Sequence, residues 1–182
     1  MFGIDIETLS HKENAVVLSC ALTYFTTTEQ HTFQSLIDRT CFVKFDAKEQ
    51  IHKYKRGMSD STVEWWKKQS KEAKDFSLKP SDDDVSLSVG IEKLRAYVKE
   101  NSNGKEIVFC RGSLDQFVLC DLFEQLQIPQ LFEYYQYRDF RTAIECLKDN
   151  SKRGYCEVSG LTGMIPHNPI HDNCRDILML LS

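Results

Sequence analysis

A mixed α/β domain is what this 182-residue chain predicts, on three grounds. Apolar and β-branched runs at residues 2–7, 15–25 and 40–45 read as three successive strands. From residue 61 onward helical and strand-like patterns alternate, and 41% hydrophobic against 27% charged residues is the balance of one globular domain. A chain of this length buries roughly 70% of its unfolded surface, enough for a core without disulfides or structural metal.

The first segment, Phe-Gly-Ile-Asp-Ile-Glu, alternates around a short apolar core, and polar loops separate it from the next two runs, which gives an antiparallel meander. Ser-Thr-Val-Glu-Trp-Trp opens a helix over 61–70, with Ser61 as N-cap and Glu64 as its capping-box partner. Residues 76–84 form a polar loop. Asp82, Asp83 and Asp84 then precede a helix carried by Leu87, Ile91, Leu94 and Val98, where the helix dipole favours negative charge. A buried strand follows at 107–110, then an Arg-Gly turn and a helix over 114–126. Residues 134–137 read as a fifth strand, 141–147 as a helix, and 170–181 as a last helix whose Ile177, Leu178 and Leu181 share one face. Between these two helices, 148–169 is the longest irregular stretch and is expected to be a mobile loop beside the site. No repeat or internal boundary divides the chain, so residues 1–182 are one domain.

A formal charge of −4 excludes a protein that holds nucleic acid by bulk positive charge, so a polyanionic substrate needs local help, for example from bound cations. The one basic concentration is Lys44, Lys48, Lys53, Lys55 and Arg56, continued by Lys67, Lys68, Lys71 and Lys74; it is a solvated surface or a rim that guides a strand. No apolar stretch approaches the roughly 20 residues that cross a bilayer, and the N-terminus lacks the pattern of a signal peptide. Seven scattered cysteines without a Cys-x-x-Cys pair read as reduced thiols, which points to the cytoplasm. A zinc site from Cys156, His167, His171 and Cys174 lacks the close paired spacing of structural zinc.

Asp5 and Glu7, two apart on a strand, leave one face of the sheet while Ile4 and Ile6 leave the other. Neighbouring carboxylates repel and burial raises their pKa values, so a divalent cation is the natural neutraliser; an exposed strand face is the plainer alternative. Asp115 stands at a helix start, where a dipole partner is the plain reading. His171 and Asp176 lie five residues apart on the last helix, about 500° around its axis, and so point to different parts of one site.

Taken in order, Asp-Ile-Glu-Thr at 5–8, Asp115 after the middle strand and His-x4-Asp at 171–176 resemble the DEDD superfamily of 3′-to-5′ exonucleases. The match is to its histidine-containing, DnaQ-like branch, because the position that carries Tyr in the other branch is Asp172 here. Ser-Thr-Val-Glu-Trp-Trp, Pro-Ser-Asp-Asp-Asp-Val, Cys-Arg-Gly-x3-Asp, Arg-Asp-x-Arg-Thr and Ile-His-Asp-x3-Asp-Ile-Leu-Met resemble its subgroup of DexA-type phage exonucleases and Rv-type exoribonuclease-like domains. The resemblance runs over nearly the whole chain and implies a ribonuclease H-like fold, a central mixed five-stranded sheet flanked by helices.

It further implies that Asp5, Glu7, Asp115 and Asp176 hold two Mg²⁺ or Mn²⁺ ions, with His171 as general base. The reaction implied is removal of nucleoside 5′-monophosphates from the 3′ ends of single-stranded DNA or RNA, with DNA favoured through the phage relatives. An exoribonuclease, or a non-catalytic domain that only binds nucleic acid, are the alternatives. Thr8 and Leu9 are placed against the terminal nucleotide, Leu9 as a wedge on a base. Trp65 and Trp66 offer faces for stacking, and because helical neighbours differ by about 100°, one belongs in the core and one near the cleft. Arg111, Arg138 and Arg141 suit phosphates or carboxylates, with an Arg138–Asp139 ion pair as an equal alternative, and His167 takes a loop or supporting place. Relatives of this fold often dimerise, so a homodimer is one state the resemblance allows, and the oligomeric state stays open.

Overall fold

A computed structural model describes residues 1–148 and 152–182 of the chain. Five strands, β1 (Phe2–Thr8), β2 (Val17–Tyr24), β3 (Thr40–Lys44), β4 (Val108–Cys110) and β5 (Tyr137–Asp139), form one sheet in the order β3-β2-β1-β4-β5. The first three pair antiparallel as the expected meander, and β4 and β5 join parallel to β1. The helices are α1 (Phe33–Asp38), α2 (Ala47–His52), α3 (Asp60–Lys67), α4 (Lys71–Ala73), α5 (Leu87–Asn101), α6 (Leu114–Gln125), α7 (Phe140–Lys148) and α8 (Pro169–Leu181). The mixed five-stranded sheet flanked by helices is thus as expected.

Alternation along β1 decides which helices cover which face. Phe2, Ile4 and Ile6 are buried with Leu87, Ile91 and Leu94 of α5 and Val118, Leu119 and Leu122 of α6. The opposite face takes Phe33 and Leu36 of α1, Phe140 and Ile144 of α7, and Cys174 and Ile177 of α8. Helix α8 lies directly on β1, because a Cβ at Gly3 would stand 2.5 Å from Asn173 Oδ1 and 2.9 Å from Ile177 Cδ1. Only glycine permits that approach, and Asn173 Nδ2 fixes it by donating to Gly3 O and to Thr23 Oγ1, both at 2.9 Å. At the start of β2 the fully buried Gln50 acts as a surrogate strand: its Oε1 accepts from Val17 N–H at 2.8 Å and its Nε2 donates to Val17 O at 2.7 Å. A third apolar cluster, Leu9, Val16, Leu18, Trp66 and Ala73, seats α3 against the strand ends.

Several local expectations are corrected. Helix α3 is capped by Ser59, whose Oγ accepts from Thr62 N–H, while Glu64 pairs with Lys67 on the surface. The polar loop is partly a π-helical turn, Lys74–Leu78, that prolongs α4. Ser86 caps α5 instead of the three aspartates; Asp84 bonds Ser81 and lies 3.6 Å from Lys44. Tyr134–Gln136 is a 3-10 turn, so the fifth strand starts only at Tyr137. The short helices α1 and α2 were not expected at all. Part of the expected mobile loop, 149–151, lies outside the described residues, and 152–168 is without helix or strand. The basic concentration is broken up: Arg56 turns inward to Ala15 O, Glu13 O and Asp121, Lys44 is buried, and Lys53, Lys67 and Lys71 are paired with acidic neighbours. All seven cysteines are free thiols. Among the described residues no helix is long and apolar enough to cross a membrane.

Candidate active site

The parallel pair β1/β4 is joined only at Phe2–Val108 and Gly3–Phe109, and beyond those residues the two strands part. Chain leaving β4 turns at Gly112, whose φ of +88° is costly for any residue with a Cβ, and enters α6 at Leu114, one residue before Asp115. The Ile6 N–H, left without a strand partner, donates to Asp115 Oδ1 at 3.2 Å. The turn is braced from β5: Asp139 Oδ1 accepts from Gly112 N–H at 2.7 Å, and the same carboxylate caps α7 through Thr142. The register of β1 against β2 also slips between Glu7 and Thr8, the kind of bulge that re-aims a side chain beside a site. Together these features open the carboxyl ends of the parallel strands, where ligands of α/β sheets bind.

Into this opening come Asp5 and Glu7 from β1, Asp115 from α6, and Asp172 and Asp176 from α8. The charges of Asp115, Glu7, Asp172 and Asp176 all bear on Asp5. Burial first, and then this crowd of like charges, holds Asp5 well above the usual carboxylate range; Glu7 is raised likewise by burial, Asp172 and Asp115. Asp115 is pushed up to about 7 by burial, against which the Ile6 hydrogen bond pulls down. Asp172 is raised by burial too, with Arg175 opposing. Asp172 was not among the residues expected here; its place in a second His-x4-Asp, at 167–172, is the signal that would have found it.

Two guanidinium groups balance part of this charge. Arg111 Nε donates to Asp176 Oδ2 at 2.5 Å, and Arg175 Nε donates to Oδ1 at 3.0 Å. Arg175 also meets Asp172 Oδ1 at 2.6 Å. Arg111 continues to Gly154 O at 3.1 Å, with the Tyr155 ring 4.2 Å away, so the segment after residue 151 is fastened to Asp176. Of the two roles open to Arg111, the carboxylate is the one it performs. Arg141 lies over the Gly112 turn and its charge lowers the Asp115 pKa. Arg138 does not pair with Asp139; it donates to the Tyr135 and Tyr137 carbonyls.

The two histidines differ. His171 Nδ1 accepts from Ile165 N–H at 2.9 Å, its ring packs edge-on against Phe33 at 5.3 Å, and burial lowers its pKa. His167 has ligand atoms in common reach with Glu7 and Asp172, within 4.8 Å of one another, and burial lowers its pKa as well. The four-residue zinc site does not form, since Cys174 faces Thr40 and Cys156 faces Met179 O.

Beside Glu7 is a cavity of about 350 Å³ lined by Thr8, Ser10, His11, Ser61, Thr62, Trp65 and Leu114. Trp65 is 40% exposed and forms its wall. Trp66 is fully buried and donates its indole N–H to Thr8 O at 2.9 Å, so it supports the cavity and cannot stack on a base. Leu9 is likewise closed into the core with Val16, Leu18 and Trp66, which corrects its expected place as a wedge. Thr8 keeps its place at the cavity, its Oγ1 donating to Ser10 O at 2.6 Å.

Comparison with known proteins agrees with this architecture. Residues 1–177 match the family described as the 3′-5′ exoribonuclease Rv2179c-like domain. An exodeoxyribonuclease of Enterobacteria phage T4 is 35% identical over 199 aligned residues, covering 98% of this chain and 86% of that protein. With the family matching almost end to end and a relative this similar over nearly its full length, the chain belongs to the Rv2179c-like 3′-5′ exoribonuclease domains, a family of DnaQ-like exonucleases, and is an exonuclease enzyme.

Proposed function

We propose that the enzyme trims single-stranded DNA from its 3′ end, releasing nucleoside 5′-monophosphates, with Asp5, Glu7, Asp115 and Asp176 holding two Mg²⁺ or Mn²⁺ ions. Exonucleases of this kind depend on divalent metal, and the donor set fits one: hard carboxylate oxygens gathered from three separate elements, of which Asp5, Glu7 and Asp115 are raised in pKa first by burial and then by neighbouring carboxylates. When bound, the ions supply an activated water and stabilise the leaving 3′-oxygen. The observation that carries the reading is this convergence of buried carboxylates at the open β1/β4 end.

The chain's own residues do the remainder. The cavity beside Glu7 is large enough for one terminal nucleotide, and Trp65 offers it a stacking face. Arg111 and Arg175 hold Asp176 in one orientation, and Arg141 keeps positive potential near Asp115. His-x4-Asp occurs twice, at 171–176 and at 167–172: the resemblance names His171 as general base, whereas the geometry favours His167, which lies with Glu7 and Asp172 while His171 Nδ1 is taken by the Ile165 N–H. DNA is favoured because the phage relative, named an exodeoxyribonuclease, covers nearly the whole chain. The family description favours RNA as the second reading.

A time course on 5′-labelled DNA and RNA strands of matched sequence, with Mg²⁺, Mn²⁺ or EDTA, tests both. A descending ladder that needs metal and is lost in Asp115→Asn supports the mechanism, and the faster ladder names the sugar. Binding of both strands without shortening would reject it.

A further inference from the structure

A cavity lies on each side of the turn into α6. Leu114 lines the one beside Glu7, whereas Gly112, Ser113 and Gln116 line a second of about 420 Å³, together with Arg138 and Asp139 of β5. Asp115 stands in the chain between Leu114 and Gln116, so a phosphate held at Asp115 adjoins both. A strand trimmed from its 3′ end carries a nucleoside on both sides of the bond that breaks, and the cavity beside Glu7 has room for only one.

The second cavity carries the two chemistries that grip a single strand, guanidinium for phosphate and aromatic rings for bases. Arg111 and Arg175 give their charge to Asp176 and Asp172. Arg141 is exposed and, among the described residues, pairs with no acid; its Nη1 lies 3.8 Å from where a Cβ on Gly112 would stand, at the cavity wall. Arg138 is exposed as well and is held at the rim by the Tyr135 and Tyr137 carbonyls, each at 2.7 Å. Asp139 has both oxygens taken, by the Gly112 N–H and by the Thr142 N–H and Oγ1. On the segment entering β5, Tyr134 and Tyr135 are 80% and 61% exposed, their rings edge-on at 5.4 Å. Neighbouring aromatic rings left in water mark a binding surface, and a chain of formal charge −4 has to gather its contacts to a polyanion locally.

We propose that the second cavity receives the nucleotide that precedes the one released, with Arg141 on the phosphate at its 5′ side and the Tyr134–Tyr135 pair as a stacking platform for the bases beyond. The inference rests on the nuclease reading in one respect, that the breaking bond lies at the carboxylates, and it holds for DNA and RNA alike. Its consequence is a length preference: each nucleotide added 5′ of a dinucleotide gains contacts until the platform is covered.

Kinetics of first-nucleotide release from strands of two, three, four and six nucleotides test the preference. In the unaltered protein KM is expected to fall about ten-fold between two and four nucleotides, and Arg141→Gln and the double variant Tyr134→Ser, Tyr135→Ser should each remove most of that gain. A KM independent of length in the unaltered protein, which needs no variant to fold, overturns the inference, as does a gain that survives in both variants. Loss of a dimer in the tyrosine variant with the length dependence intact assigns the pair to a protein interface and overturns it too. Placement is read without turnover by irradiating an eight-nucleotide strand bound in Ca²⁺, with 5-iodouracil at one position, and mapping crosslinks by mass spectrometry. From the third or fourth position before the 3′ end they should fall on Tyr134 or Tyr135, and from the last position on Trp65. A strand ladder without tyrosine crosslinks keeps the nuclease reading and removes this one; tyrosine crosslinks without a ladder do the reverse.

Discussion

Without metal, the protein should lose stability as pH rises through the neutral range, opposite to the behaviour of domains whose carboxylates are paired. Asp115 has a pKa of about 7 in the fold against an ordinary value of 3.8. Between those values the native state holds a proton that the unfolded chain has released, so raising the pH favours unfolding. Above pH 7 the full difference applies, about 4 kcal/mol at 1.36 kcal/mol per pH unit. Asp5, Glu7 and Asp172 act in the same direction. The lowered His167 and His171 oppose it more weakly, their contribution growing as pH rises through the ordinary histidine value of 6.5. For a domain of this size, about 4 kcal/mol is on the order of 10 °C in Tm. Of this, the part between pH 5 and about 7 is lost over a scan from pH 5 to pH 8, about 3 kcal/mol, so thermal melts in EDTA should fall by about 8 °C across that range, and Mn²⁺ at pH 8 should restore most of it. Asp115→Asn keeps an oxygen for the Ile6 N–H while removing the charge, so at pH 8 in EDTA it should melt above the unaltered protein. A Tm that is flat or rises over this range in EDTA, or an Asp115→Asn variant with an unchanged pH slope, refutes the reasoning.

Three further outcomes follow from single contacts. Trp66→Ala should cost about 3 to 5 kcal/mol in urea unfolding, whereas Trp65→Ala should leave stability within about 1 kcal/mol and raise KM for single strands about ten-fold. Arg111→Ala leaves Asp176 buried with Arg175 as its remaining guanidinium partner and should destabilise the metal-free protein by about 3 kcal/mol, a deficit that shrinks when Mn²⁺ is added, measured by melts with and without the ion. Gln50→Leu strips both side-chain partners from Val17 and should cost about 2 to 4 kcal/mol, with amide exchange at Val17 accelerated.

The long elements were legible because their periods are written in the residues. Strand β1 shows alternation, and α5 and α6 show apolar spacing over several turns. Helices α1 and α2 have six residues each, too few for a period, and are held by caps: Thr32 with Ser35, and Asp46 with the Lys48 and Glu49 N–H groups. At α3 two serine patterns overlap, and burial of Trp66, not the capping sequence, selects Ser59 over Ser61. Aromatic residues at 134 and 135 suggested a strand, but both rings face solvent on a turn. In the site, Asp5, Glu7, Asp115 and Asp176 were named through the resemblance of their ordered motifs to the DEDD exonucleases; spacing alone left each with a plainer reading. The pairing of His167 with Asp172 was legible in a second His-x4-Asp at 167–172 that was passed over, whereas the grip of Arg111 on Asp176 depends on how α8 settles on the sheet, which no local pattern encodes.

The seating of α8 on Gly3 ties together residues 170 positions apart in the chain. Asp5 and Glu7 stand on β1 and Asp172 and Asp176 on α8, so neither element alone owns the carboxylate set. An assembled carboxylate set in this molecule is therefore a report of that long-range docking.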